Sequence, residues 1–294
     1  MSGLCEFVDT FPDFLTYWAE VESSSLDNQL EGWIKNYMAL WPELLVKQIE
    51  DYSSQNVDWR QIARDKVFPY LAEWLPSMQR VHQNLLQLCE PIYSRVQHRL
   101  DFDSRVLFVI YVGIGCGAGW ATTFQGFPAI LFGLESIVGC AWSTPEAVQG
   151  LIAHELGHLV HHHWRIQHGN TTGRGPWWQL YEEGFAQYCE RLILDSDFWR
   201  QTIGGDDNDW LDWCQNHKGW LVAEFLRTVD AGKPVSAFFG SWFEICGKSE
   251  TGYFLGYEAI KELEKHLNLK EIALLENVEV YLRPVLEQIS ERSG

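Results

Sequence analysis

Two histidines four residues apart, with a glutamate directly after the first, stand in His154-Glu155-Leu156-Gly157-His158. On a helix of 3.6 residues per turn these histidines share one face, so both imidazoles can offer a nitrogen to a single tetrahedral Zn²⁺. Glu155 points off that coordination face but can reach a water in the open fourth position. That is the place of a general base in metal-assisted hydrolysis. His161, His162 and His163 follow in a row. Successive helical residues fan about 100° apart, so these three cannot converge on one ion and read as a solvated or supporting face.

These residues need a helix to present them. Ser143-Thr144-Pro145-Glu146 offers a hydroxyl cap, a first-turn proline and a capping-box glutamate, which predicts a helix from about Pro145 to beyond His161. Val148, Leu151, Ile152, Leu156 and Leu159 recur on it at helical spacing, an apolar stripe that buries the helix while the histidines face a cleft. A third ligand is required, and the helical segment from Trp177 to Tyr188 carries Glu182 and Glu183 as candidates. Between the two helices, Gly169 to Pro176 is a run of turn residues that lets the chain reverse.

These segments resemble the gluzincin metallopeptidases, especially the aminopeptidase N type, whose third zinc ligand is the glutamate of an Asn-Glu-Gly-Phe-Ala segment after a Trp-rich stretch. The matching letters are Glu182-Glu183-Gly184-Phe185-Ala186. The resemblance therefore selects Glu183, and implies one Zn²⁺ per chain held by His154, His158 and Glu183, with Glu155 as the catalytic base. Relative to the aminopeptidases, the loop at 164–176 is a local extension. These enzymes also hydrogen-bond the oxyanion with the tyrosine of a Tyr-x-x-Gly segment, and Tyr253-Phe254-Leu255-Gly256 supplies one. Tyr253 is the implied donor and Tyr257, one turn further, the alternative. The family's Gly-x-Met-Glu-Asn strand binds a free amino terminus through its glutamate. At the equivalent place, Glu135 can imitate that substrate-binding residue, but the Met and Asn are missing, so exopeptidase specificity is not implied.

From about 105 to 260 the chain is similar to a group of bacterial Zn-dependent proteases of unknown substrate. The implied activity is hydrolysis of peptide bonds, with a peptide or protein as the partner. Two other readings of the same residues stay open: a catalytically silent zinc-binding interaction protein, and a regulatory protease acting on a partner repressor. Spacing alone does not select zinc over another divalent metal.

The remaining pattern predicts an α+β fold, mainly helical. A small β-sheet lies beside the zinc-binding helix, and a zincin-like core has helical N- and C-terminal parts. Residues from about 9 to 98 carry apolar side chains at helical spacing, giving a helical N-terminal region over 1–100. Val106 to Val112 and Pro128 to Phe132 read as strands, and 101–294 as the metallopeptidase core with a C-terminal helical subdomain. The glycines between 113 and 119 fit a hairpin or bulge, since no helix or Lys-Ser/Thr pair follows to bind phosphate.

With 294 residues, 46% of them hydrophobic, the chain is long enough to bury a large core. A formal net charge of −18 argues against nucleic acid and against anionic membrane surfaces as partners. Seven cysteines without a C-x-x-C read as reduced thiols, and no leader-like segment or apolar run of about 20 residues is visible, so the expected location is cytoplasmic.

Overall fold

Val106–Tyr111 is a run of aliphatic and aromatic residues buried at every position, as a strand covered on both faces requires. It forms β2, at the middle of a mixed sheet with β1 (Cys5–Asp9), β3 (Gly119–Phe124) and β4 (Phe127–Gly133) in the order β1-β2-β4-β3. β2 is parallel to β1 and β4, whereas β3 and β4 form an antiparallel hairpin. Gln125 and Gly126 both have positive φ in its two-residue turn, matching the twist of the flanking strands.

The computed structural model describes residues 4–54, 56–202, 209–240 and 243–292. The chain is α+β, predominantly helical, and divides into two compact units, Met1–Ile152 and Ala153–Gly294. The position 100/101 lies inside the first unit, and β1 pairs with β2 across it.

The first unit contains the sheet with α1 (Phe11–Val21), α2 (Leu26–Gly32), α3 (Pro42–Ser54), α4 (Trp59–Ile62), α5 (Leu71–Leu100) and α6 (Leu134–Gly139). Along α5, Met78, Val81, Leu85, Cys89, Ile92, Val96 and Leu100 are buried at intervals of three and four, one apolar face of a long helix. Both α2 and α4 run on into π-helical and then 3₁₀ turns. The first of these turns brings Trp33 and Tyr37 under the end of β2, where Trp33 donates to the Val112 carbonyl (3.1 Å) and Tyr37 accepts from its N–H (3.1 Å).

α7 (Pro145–Gln167) carries the two histidines, and all five residues of its expected apolar stripe are buried. Its cap is Thr144: the Thr144 hydroxyl accepts from Ala147 N–H (3.3 Å) and its carbonyl from Val148 N–H (3.0 Å). With Thr144 rather than Ser143 as the cap, Glu146 sits one position too early to close the expected capping box.

Beyond α7 the second unit holds α8 (Pro176–Leu194), α9 (Trp210–Asn216), α10 (Lys218–Asp230), α11 (Ser236–Phe239), α12 (Thr251–Leu263), α13 (Leu269–Ala273) and α14 (Val278–Arg292). α8 is its central helix. It starts at Pro176, whose missing N–H is not needed in a first turn, and it crosses α12 with the two backbones in contact. A Cβ on Gly184 would lie 2.4 Å from the Gly256 carbonyl, and one on Gly256 would lie 2.5 Å from the Leu180 oxygen and 2.7 Å from Gly184 Cα. α7 meets α8 almost as closely, a Cβ on Gly157 falling 2.9 Å from Cys189 Cβ and 3.1 Å from Ala186 Cα.

No flexible side chain can give way at the α8–α12 crossing, so Gly256→Ala must push two backbones apart. The expected loss is about 1–3 kcal/mol, the range for overpacking a tight core. Urea unfolding should show a lower midpoint for Gly256→Ala than for wild type, and equal midpoints would contradict the crossing.

Candidate metal centre

The crossings align three helices so that His154 and His158 of α7 face Glu183 of α8. The Glu183 carboxylate lies 3.2 Å from His154 Nε2 and 3.4 Å from His158 Nε2, and one ligand atom from each residue lies within 4.8 Å of the others. Metal bonds of about 2.0–2.1 Å at tetrahedral angles separate ligand atoms by about 3.3–3.4 Å. The donor set and its spacing therefore fit a zinc-sized ion. His154 is buried, whereas His158 and Glu183 keep 15% and 21% of their side chains exposed, so the centre is reachable from one side.

Charge is concentrated here. Burial pulls the His158 pKa down, but the Glu183 carboxylate beside it, with Glu155 and Glu182, outweighs this and lifts it to about 9. Burial also opposes ionisation of Glu183, yet His158 and His154 hold its carboxyl well below the usual carboxylate range. A bound divalent cation would take over the role these imidazoles play beside Glu183, stabilising the same carboxylate.

Behind His154 stands a layer that the sequence reading missed. Glu190, fully buried on α8, is ion-paired with the equally buried Arg200 and accepts from Gln187 Nε2 (2.9 Å). Its carboxylate also lies 3.7 Å from His154 Nδ1, a buried nitrogen with no hydrogen-bond partner. A carboxylate facing Nδ1 favours the tautomer that leaves Nε2 free for a metal. Glu190 follows Glu183 by two helical turns, a spacing that could have flagged it. Arg200 enters from a short 3₁₀ turn, Arg200–Thr202, and no local pattern announces it.

Glu155 is buried next to His154, and its negative charge is felt by His158, Arg200 and Tyr253. The Tyr253 ring centre lies 5.7 Å from that of His154. Burial, followed by the charges of Glu183 and Glu250, keeps its phenol protonated far above the ordinary tyrosine range, as a donor. Tyr257 faces a different cluster, with ring centres 5.4 Å from Trp199 and 6.0 Å from Tyr188.

Glu135 belongs to the first unit, where its buried carboxylate accepts from Gly113 N–H (2.8 Å), Gly115 N–H (3.1 Å) and the Ser136 hydroxyl (3.1 Å). It braces the glycine-rich loop after β2, and a side chain at Gly113 would collide with Gln48, Tyr111 and Glu135 itself.

The three consecutive histidines do fan apart. His162 is exposed and His163 half-buried, but His161 departs from the expected solvated or supporting face. It is fully buried, with Nε2 3.1 Å from the Tyr181 hydroxyl and its ring 4.8 Å from that of Phe185. Burial and then the nearby Arg165 charge hold its pKa well below the ordinary histidine value, so it is a neutral core residue.

All seven cysteines are free, and no helix among the described residues is long and apolar enough to cross a membrane. No family model and no solved structure matches the chain. Over 144 residues it is 26% identical to the 1,4-alpha-glucan branching enzyme GlgB of Mycolicibacterium paratuberculosis (strain ATCC BAA-968 / K-10). That stretch covers 46% of this chain and 18% of that protein.

Replacing the carboxylate behind His154 tests the second layer without removing a candidate ligand. Glu190→Gln is expected to weaken Zn²⁺ about 10–100-fold in competition with a chromophoric chelator, and an unchanged affinity would remove Glu190 from the centre's support.

Proposed function

We propose that the chain is a zinc-dependent metallopeptidase of gluzincin type with a zincin-like catalytic core. The single observation that carries this reading is the convergence of His154, His158 and Glu183 on one point at distances suited to a tetrahedral ion, with Glu155 next in sequence to the first of them.

A zinc ion on these ligands would supply Lewis acidity, acidifying a water and polarising a peptide carbonyl. The chain's own groups do the rest. Glu155 takes a proton from the attacking water and returns it to the leaving amine nitrogen, a transfer that general acid–base catalysis typically makes worth 10²–10⁴-fold. Tyr253, kept protonated by burial and neighbouring carboxylates, donates its O–H to the oxyanion that develops on the carbonyl. Glu190 and Arg200 hold His154 in the orientation its role requires. The partial exposure of His158 and Glu183 supports an accessible catalytic centre over a closed structural one.

Two variants separate metal binding from turnover. Glu155→Gln should retain about one zinc per chain yet cleave a mixed peptide library at least about 10²-fold more slowly, while Glu183→Ala should lose the metal itself on dialysis. Wild-type cleavage should be abolished by chelator and restored by zinc. Wild-type rates in Glu155→Gln would eliminate the base assignment, and zinc without cleavage of any peptide would favour the non-catalytic reading. An α-glucan substrate in the same assay addresses the likeness to the branching enzyme.

A further inference from the structure

The extended loop that precedes α8 is anchored with unusual thoroughness. Buried Arg165 donates to the Thr171 carbonyl from two nitrogens (3.1 and 2.7 Å), and Asn170 Nδ2 donates to the Leu274 carbonyl (3.0 Å). Gly173 then lies so close to the Trp178 indole that a Cβ there would fall 2.4 Å from the ring. Two hydrogen-bonded ties and this close approach hold the backbone up to Gly173, directly before the exposed Arg174. Lys233, which follows the left-handed Gly232 (φ 64°) beyond the end of α10, stands on the same groove.

Arg174 and Lys233 line one open groove of about 490 Å³, together with Trp178, Glu182, Ser236 and the metal-ligand candidate Glu183. Both cationic side chains are exposed and, among the described residues, neither has a hydrogen-bond or ion-pair partner. In a chain with 40 acidic and 22 basic residues, two unpaired cations on one groove run against the general trend. Neither acidic residue of the groove pairs with these cations: Glu182 accepts from the Trp178 indole N–H (2.9 Å) on the same groove, and Glu183 faces His154 and His158.

We propose that this groove is a substrate-binding subsite for a carboxylate, either an acidic side chain or the free C-terminus of a peptide, held by Arg174 and Lys233 beside the scissile bond. This deepens the metallopeptidase reading and rests on it. The subsite gives specificity by charge: a guanidinium and an ammonium pair with an anionic group that an amide isostere cannot replace. The anchored loop places Arg174 at little cost in ordering, since its backbone is already fixed.

Binding tests this without requiring turnover. The 294-residue Glu155→Gln chain, zinc-loaded and metal-free, is titrated with N-acetylated peptides carrying a neutral dye. One pair differs as free acid or amide at the C-terminus, the other as Glu or Gln at an internal position. At least one carboxylate form should bind about tenfold more tightly than its neutral counterpart at low salt, and added salt should narrow the ratio. Preference for the free acid alone assigns the carboxylate to the chain end, and preference for Glu alone assigns it to the side chain. Arg174→Gln/Lys233→Gln in the same background should bring the ratio towards one at an unchanged thermal midpoint. Equal binding of charged and neutral forms, a preference that survives the double variant, or no binding of either carboxylate form would overturn the proposal. Failure to retain zinc would instead count against the metallopeptidase reading, and the metal-free titration would still decide the role of the two cations.

Discussion

Everything at the candidate centre depends on how closely three helices approach one another. Gly184 and Gly256 let the backbones of α8 and α12 touch, and Gly157 brings α7 against Ala186 of α8. Glycine within a helix costs about 0.5–1 kcal/mol relative to alanine, so these positions are locally unfavourable. The compensation is positional. Gly157 lies between the two histidines and next to the second, Gly184 directly follows Glu183, and Gly256 lies one turn beyond Tyr253. Each contact therefore sets the depth of a neighbouring chemical residue. A wider spacing would separate the Glu183 carboxylate from the imidazoles by more than one ion can bridge.

Around that crossing the second unit stacks charge in alternating layers. Glu183 sits against two imidazoles, and Glu190 stands behind His154 with Arg200 beyond it. Removing one member of a buried set of this kind leaves its partner's charge uncompensated, typically at a cost of about 3–5 kcal/mol. The layers are interdependent for that reason. The aromatic surroundings serve them: His161 is held neutral between Phe185, Trp178 and Tyr181, so it adds no competing positive charge beside the candidate ligands.

Much of the centre was legible because its residues repeat at the helical period. His154 and His158 are one turn apart, the α7 stripe is continuous, and the turn-rich segment before Pro176 separates α7 from α8 cleanly. Long α5 was likewise visible in its spacing. β1 was hidden because a five-residue strand with two acidic residues carries little pattern, and its parallel partner lies about a hundred residues away. The π-helical turns after α2 and α4 read as ordinary helix, since their apolar spacing barely differs. Arg200 could not be found locally: its significance comes from Glu190, and that pairing is purely tertiary. His161 was misplaced because a histidine flanked by two others suggests a wet face, whereas the rotation of the helix turns this one inward.

The measurement that bears most directly on the proposed centre is zinc content by elemental analysis of the 294-residue chain, combined with X-ray absorption at the zinc edge. One zinc per chain in a shell of two imidazole nitrogens and carboxylate or water oxygen, at about 2.0–2.1 Å, is the predicted result. A chain that holds no zinc after loading, or a shell dominated by cysteine sulfur, would contradict the assignment of His154, His158 and Glu183 as its ligands.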